Sequence, residues 1–139
     1  MKSRLIYWLT YAGMWLLALL PFKALYALSD GLCFLMHHVV HYRRRVVRTN
    51  LRHAFPEKSE TELRDIERGF YRYICDYMLE EVKMLRMSFK ELCRRMEYDN
   101  KEEYLAMIEK HGGIVLLIPH YANFEWITGM SSIMQEGDI

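Results

Sequence analysis

The stretch "GGIVLLIPHYANFEW", Gly112 to Trp126, decides how the rest of the chain is read. Two glycines interrupt what precedes it, and "IVLLI", Ile114 to Ile118, is then a short continuous apolar run of β-branched and Leu residues. Such a run is the pattern of a strand buried on both faces, as in a parallel sheet. Pro119 ends it. Asn123 is a good N-cap, so "FEWITGMSSIM", Phe124 to Met134, reads as the following helix, with Glu125 in the first turn where the dipole favours a carboxylate. His120 then sits at the carboxyl end of a strand, in the crevice where open α/β sheets bind ligands.

The spacing of His120 and Glu125 carries chemistry. Within one regular helix, positions five apart are rotated by about 500°, roughly 140° net, and their side chains diverge. If the chain turns between them, Glu125 can accept a hydrogen bond from one imidazole nitrogen of His120. That fixes the tautomer and raises the basicity of the other nitrogen, which can deprotonate a hydroxyl. The pair is the base and orienter of a triad in which the incoming alcohol replaces the nucleophilic side chain, and direct acyl transfer follows. The competing reading is a His and a Glu at a strand end that simply hydrogen-bond to backbone.

Working outward, composition bounds what this segment serves. With 139 residues, 52% of them hydrophobic, the chain holds one domain with a real core. The 19 basic and 18 acidic residues leave a net charge of +1, so no global field points to nucleic acid. Cys33, Cys75 and Cys93 are widely spaced, odd in number and form no CxxC pair, which argues against a disulfide framework or a zinc cage and fits a reducing compartment. "LIYWLTYAGMWLLALLPF", Leu5 to Phe22, has no charged side chain and as a helix spans ~27 Å, close to the ~30 Å hydrocarbon core. It either just crosses a bilayer or lies obliquely in one leaflet, since its aromatic residues are spread through its first part. No A-x-A-like site follows it, as a signal peptide would require. Ser29, Asp30 and Gly31 interrupt a second apolar stretch and predict a bend or an amphipathic segment there, not a second full span. Arg43, Arg44, Arg45, Arg48 and Arg52 come next, and beside an apolar anchor they read as a contact with anionic headgroups on the cytoplasmic side. No aromatic platform or recognition motif accompanies them to suggest RNA. Residues 1–42 are accordingly read as a membrane-anchoring apolar helical segment, and 43–139, by the resemblance described below, as the N-terminal part of a catalytic domain.

The middle of the chain reads as helical. Ser59 with Glu62 forms a capping box opening a helix over about 60 to 87, with Leu63, Ile66, Phe70, Tyr73, Ile74, Tyr77, Val82 and Leu85 as its buried face. Ser88 with Glu91 and Asn100 with Glu103 repeat the box before two shorter helices, and Gly112 is the stop of the second.

At this point the sequence resembles a family. "HYANFEW", His120 to Trp126, is similar to the H-x-x-x-x-[DE] block of glycerolipid-type acyltransferases, in the His-x-x-Asn-aromatic-Glu form of the late acyltransferases of lipid A biosynthesis. Ala122 stands where those enzymes commonly have Gly, and Phe124 where many have Trp. "NLRHAFPEKSETE", Asn50 to Glu62, resembles the family's Asn-Leu, Phe-Pro-Glu segment after an Arg-rich stretch. The resemblance covers essentially the whole chain. It implies an enzyme at the bacterial inner membrane, its catalytic part facing the cytoplasm, moving a fatty acyl group from acyl carrier protein onto a hydroxyl of a lipid A precursor or another glycolipid. His120 is then the general base and Glu125 its orienter. The fold implied is α/β: membrane-associated helices, further helices, and the first strand-helix unit of a mostly parallel sandwich. No metal and no organic cofactor is implied. The acidic carrier protein is a natural partner for the basic run from Arg43 to Arg52.

Enzymes of that family are about twice this length, so the chain reads as an amino-terminal portion. Two readings from other classes stand beside it. One is a membrane-anchored helical interaction protein, in which "IVLLI" is helix core. The other is a metal site at His37 and His41 with His38 and Cys33, which lacks a well-placed acidic or third ligand.

Overall fold

A computed structural model describes residues 2–97 and 99–129. They form two compact units, one reaching Lys83 and the other starting at Met84.

The first unit is built from four helices: α1 (Lys2–Leu19), α2 (Phe22–Phe34), α3 (Arg44–Ala54) and α4 (Glu60–Met84). Pro21, at φ −63°, separates α1 from α2, where its missing N–H does no harm at a helix start. Of the bend or amphipathic segment expected at Ser29 to Gly31, the chain shows no bend. Helix α2 runs straight through those residues with Ser29 buried, and the chain instead leaves the helix by a π-turn, Leu35–Val39. His41 and Arg43 then adopt left-handed φ of 53° and 51°, so the direction changes within three residues. That conformation costs a non-glycine residue about 1–2 kcal/mol. Two bonds hold it in place: the Tyr71 hydroxyl donates to the Tyr42 carbonyl, and the Arg44 N–H donates to the His41 carbonyl at 3.2 Å.

Helix α4 opens on the predicted capping box. The Ser59 N–H donates to Glu62 Oε2 at 2.8 Å, and the Glu62 N–H donates to Ser59 Oγ at 3.3 Å. Its buried row is Leu63, Glu67, Tyr71, Cys75 and Leu79, one residue every four. Only Leu63 belongs to the face predicted from apolar spacing; Phe70, Tyr73 and Leu85 of that face are exposed. Helix α2 runs antiparallel along this row. Lys83 lies 5.5 Å over the Phe22 ring, Tyr26 donates to Glu80, Asp30 faces Arg72 at 3.5 Å, Cys33 and Cys75 share a thiol hydrogen bond, and His37 reaches Glu67. Burial pushes the Cys75 thiol up to about 11, so it stays protonated at neutral pH.

The reason the apolar pattern misplaced the face is Glu67. It is 1% exposed, and a buried carboxylate survives only if paired. Arg44 Nε donates to its Oε1 and Arg48 Nε to its Oε2, each at 2.7 Å. Burial alone would raise the Glu67 pKa, but the hydrogen bonds and charges of Arg48 and Arg44 outweigh it and hold the carboxyl below its usual range. His37 Nε2 lies 3.3 Å from Oε1. Burial lowers the His37 pKa more than Glu67 raises it, so the imidazole is neutral at pH 7, and this contact is a neutral N–H donated to the carboxylate. The Arg44 and Arg48 positions, four apart on α3, are what admit a Glu to the core.

Lys83 closes the unit. Its ammonium donates to the carbonyls of Ala18 at 2.8 Å and Leu20 at 2.7 Å, satisfying two orphan acceptors at the end of α1. Ala18 is fully buried there, whereas every residue from Ser3 to Leu16 is exposed. Replacing Lys83 by Met should cost about 1.5 kcal/mol, the lower range for charged hydrogen bonds. Amide hydrogen exchange over residues 15–25 is then expected to quicken about tenfold. Unchanged protection would remove the capping role.

In the second unit α5 (Phe89–Arg95) starts at Ser88, whose Oγ accepts from the Glu91 N–H at 3.2 Å. The box is only half closed, because the Glu91 carboxylate turns to Arg94 and Arg95. Helix α6 (Lys101–His111) has no side-chain cap at Asn100, which instead bonds Glu103 through its amide. Gly112 ends α6 as predicted, at φ 74°, its N–H donating to the Ile108 carbonyl at 2.8 Å.

Two expectations are corrected. The α/β reading fails, because the described residues are helical or irregular and contain no strand. Ile114 to Ile118 has no neighbouring strand to bond, and ladder pairing is what makes an apolar run a strand. The run also is not buried: Val115 and Leu117 are 90% exposed. No helix among the described residues is long and apolar enough to cross a membrane.

Candidate functional site

The segment that follows Ile118 is a chain of tight local bonds. The Tyr121 N–H donates to the Pro119 carbonyl at 2.8 Å, closing a three-residue γ-type turn directly around His120. Ala122 is left-handed at φ 53°, and the Trp126 N–H donates to the Asn123 carbonyl at 3.0 Å. Asn123 therefore opens a 3-10 turn, Phe124–Gly129, in place of the first turns of the α-helix expected from Phe124; that expectation's residues from Met130 onward lie outside the described residues. Trp126 is 5% exposed and Leu92 of α5 is 9% exposed; the 3-10 turn rests on α5. This apolar contact anchors the turn.

His120 lies within the γ-type turn and Glu125 in the 3-10 turn, with the left-handed Ala122 between them. His120 is exposed, its ring edge-on to Phe124 with centroids 4.4 Å apart and planes at 70°. Glu125 is half-buried, with Oε2 shielded from solvent. The imidazole is therefore open to a reactant while the carboxylate is embedded in the turn that Trp126 pins down. Sequence spacing singled out both residues as candidates; it did not reveal that the aromatic at 124 is the ring against which the imidazole packs.

The left-handed residue is the one that stands in place of a common Gly. Glycine adopts such a φ freely, whereas Ala is strained there by about 1–2 kcal/mol, partly offset by the greater freedom Gly has when unfolded. Ala122→Gly is expected to raise the denaturation midpoint slightly, by about 0.5 kcal/mol of stability. A clear loss of stability would show that the turn does not need this conformation.

The arginine run predicted to face partners is largely engaged internally. Arg44 and Arg48 hold Glu67, and Arg52 holds Glu60 through Nε at 2.8 Å and Nη2 at 3.2 Å. His37, one of the alternative metal ligands, is committed to Glu67 and to His38, whose Nε2 is 3.2 Å from His37 Nδ1. Among the described residues, no group of three or more His, Cys, Asp or Glu is placed to hold a metal ion.

Comparison with known proteins places this turn in context. The chain belongs to the bacterial lipid A biosynthesis acyltransferase family, whose sequence profile matches residues 1–137. It is 28% identical over 122 residues to the lipid A biosynthesis lauroyltransferase of Escherichia coli strain K12, a match covering 86% of this chain and 40% of that enzyme. The chain therefore spans less than half the length of that relative. No solved structure matches.

Proposed function

We propose that this chain carries the proton-transfer pair of an acyltransferase that moves a fatty acyl group from acyl carrier protein to a hydroxyl of a lipid A precursor. The observation that supports this reading is the turn from Pro119 to Trp126, in which His120 is exposed and Glu125 half-buried, in a chain of this family. His120 removes the proton from the acceptor hydroxyl as that oxygen attacks the acyl thioester carbon. Glu125 holds the imidazole in the required tautomer and stabilises the imidazolium that forms. The proton then passes to the departing thiolate, so the ester forms and the carrier thiol is released. Reaction takes place at the cytoplasmic face of the inner membrane. The apolar side chains of α1 support this: Leu5, Ile6, Trp8 and Leu9 are each more than 60% exposed on an uncovered helix that fits an oblique position in one leaflet. Arg43 and Arg45, the members of the basic run that have no carboxylate partner among the described residues, are the side proposed to meet the acidic carrier protein.

The test is acyl transfer by the complete gene product in membranes supplied with acylated carrier protein and a lipid A precursor. The expected result is a precursor heavier by one acyl group in mass spectrometry. No transfer to that acceptor, with transfer to another glycolipid or a glycerolipid instead, would reassign the substrate.

A further inference from the structure

The first unit holds a second feature, separate from the His120 turn. Between the π-turn and the start of α4 lies a groove of about 300 Å³ lined by His37, His38, Arg44, Thr61, Arg64 and Arg68, with Glu67 at its base and Asp65 at its rim. An adjoining groove of about 260 Å³ shares both histidines and Arg68 and adds Arg72. The carboxylates here are already engaged: Glu67 by Arg44 and Arg48, Asp65 by Arg68, and Asp30 by Arg72. Arginines outnumber them.

The way Glu67 binds its partners is informative. Both Arg44 and Arg48 bond it through Nε, which fixes their planar guanidiniums; of the two, Arg44 lines the groove and has its terminal Nη donors left for another acceptor. Their side chains are 31% and 40% exposed, and among the described residues Arg64 bonds through Nε to the Glu60 carbonyl. Fixed guanidinium donors beside a hydroxyl match a phosphate, which accepts several charged hydrogen bonds at once. The rim indicates the source of that phosphate. Phe34, Val39, Val40 and Tyr42, on either side of the histidines, are 51–61% exposed. Uncovered apolar side chains next to immobilised arginines suit the boundary between acyl chains and headgroups better than they suit a water-soluble phosphate.

We infer that the groove between the π-turn and α4 binds the phosphate of a membrane lipid headgroup, with the apolar rim of the π-turn lying against its acyl chains. This goes beyond the acyl-transfer reading and does not depend on it.

The experiment compares binding of the chain to phosphatidylcholine vesicles with and without phosphatidic acid. The ratio of the two affinities is the readout, because α1 alone can give affinity for either surface. The ratio should fall about 25-fold in Arg64→Gln/Arg68→Gln, at about fivefold per arginine–headgroup contact. It should change less than twofold in Arg43→Gln/Arg45→Gln, which removes the same charge just outside the groove. Circular dichroism checks that both variants keep their helix content. An equal fall in the two variants would reduce the effect to a diffuse positive surface and overturn the site. Displacement of the vesicles by glycerol 3-phosphate would overturn the lipid source and assign the groove to a soluble phosphate compound. An unchanged ratio in Arg64→Gln/Arg68→Gln overturns the inference outright.

Discussion

Replacing His120 by Ala in the complete gene product is expected to slow acyl transfer by about 10²- to 10⁴-fold, the range of a lost general base. Because His120 is exposed and its recorded packing partner is the Phe124 ring, the substitution should leave the helical spectrum and the unfolding midpoint almost unchanged. Glu125→Gln should act in the same direction, since the amide keeps the shape but cannot stabilise an imidazolium. The double variant should be little worse than His120→Ala, because the carboxylate acts through the imidazole and groups acting as a unit are not additive. Retained activity in His120→Ala would place the base elsewhere.

The second large effect concerns stability. Arg44→Met together with Arg48→Met should destabilise the first unit by about 3 kcal/mol, because it leaves Glu67 buried without a compensating charge. Glu67→Met should cost less: the arginines it releases are 31% and 40% exposed and can turn to water, whereas the Glu67 side chain, at 2%, cannot. This order, two arginines worse than one glutamate, distinguishes a buried ion cluster from a surface one. Acid should narrow the difference, since protonated Glu67 no longer needs the arginines. In the unmodified chain both perturbed groups weaken the fold as pH falls. The folded His37 pKa lies below its usual 6.5, so the unfolded chain binds more protons and stability drops once pH goes below about 6.5. Glu67, held below 4.5, adds a second loss as pH falls through its lowered value. Denaturant unfolding followed by circular dichroism across this range measures both; a profile flat from neutral to acid pH would contradict the cluster's energetics.

What the sequence made legible were features decided within a few residues. Ser59 with Glu62 needs only three positions to close a capping box, and Gly112 only its own φ, so both could be read directly. What it concealed depended on distant partners. Glu67 looked like a solvent position because its arginines lie 19 and 23 residues earlier, so the buried face of α4 was assigned to Phe70 and Tyr73 instead. The four-residue spacing of Arg44 and Arg48 on an amphipathic helix is the signal that could have exposed the cluster. "IVLLI" has the composition of a buried strand, yet a strand is defined by its neighbours, and Val115 and Leu117 lie open to solvent. Around the candidate site the sequence showed the spacing of His120, Asn123 and Glu125, while the left-handed Ala122 and the Phe124 ring against the imidazole came only with coordinates.

The pairing of His120 with Glu125 can be tested without turnover, by ¹⁵N NMR of the imidazole. A base oriented by a carboxylate holds one tautomer, and Glu125→Gln should shift that population. Identical nitrogen shifts in the two proteins would contradict the account.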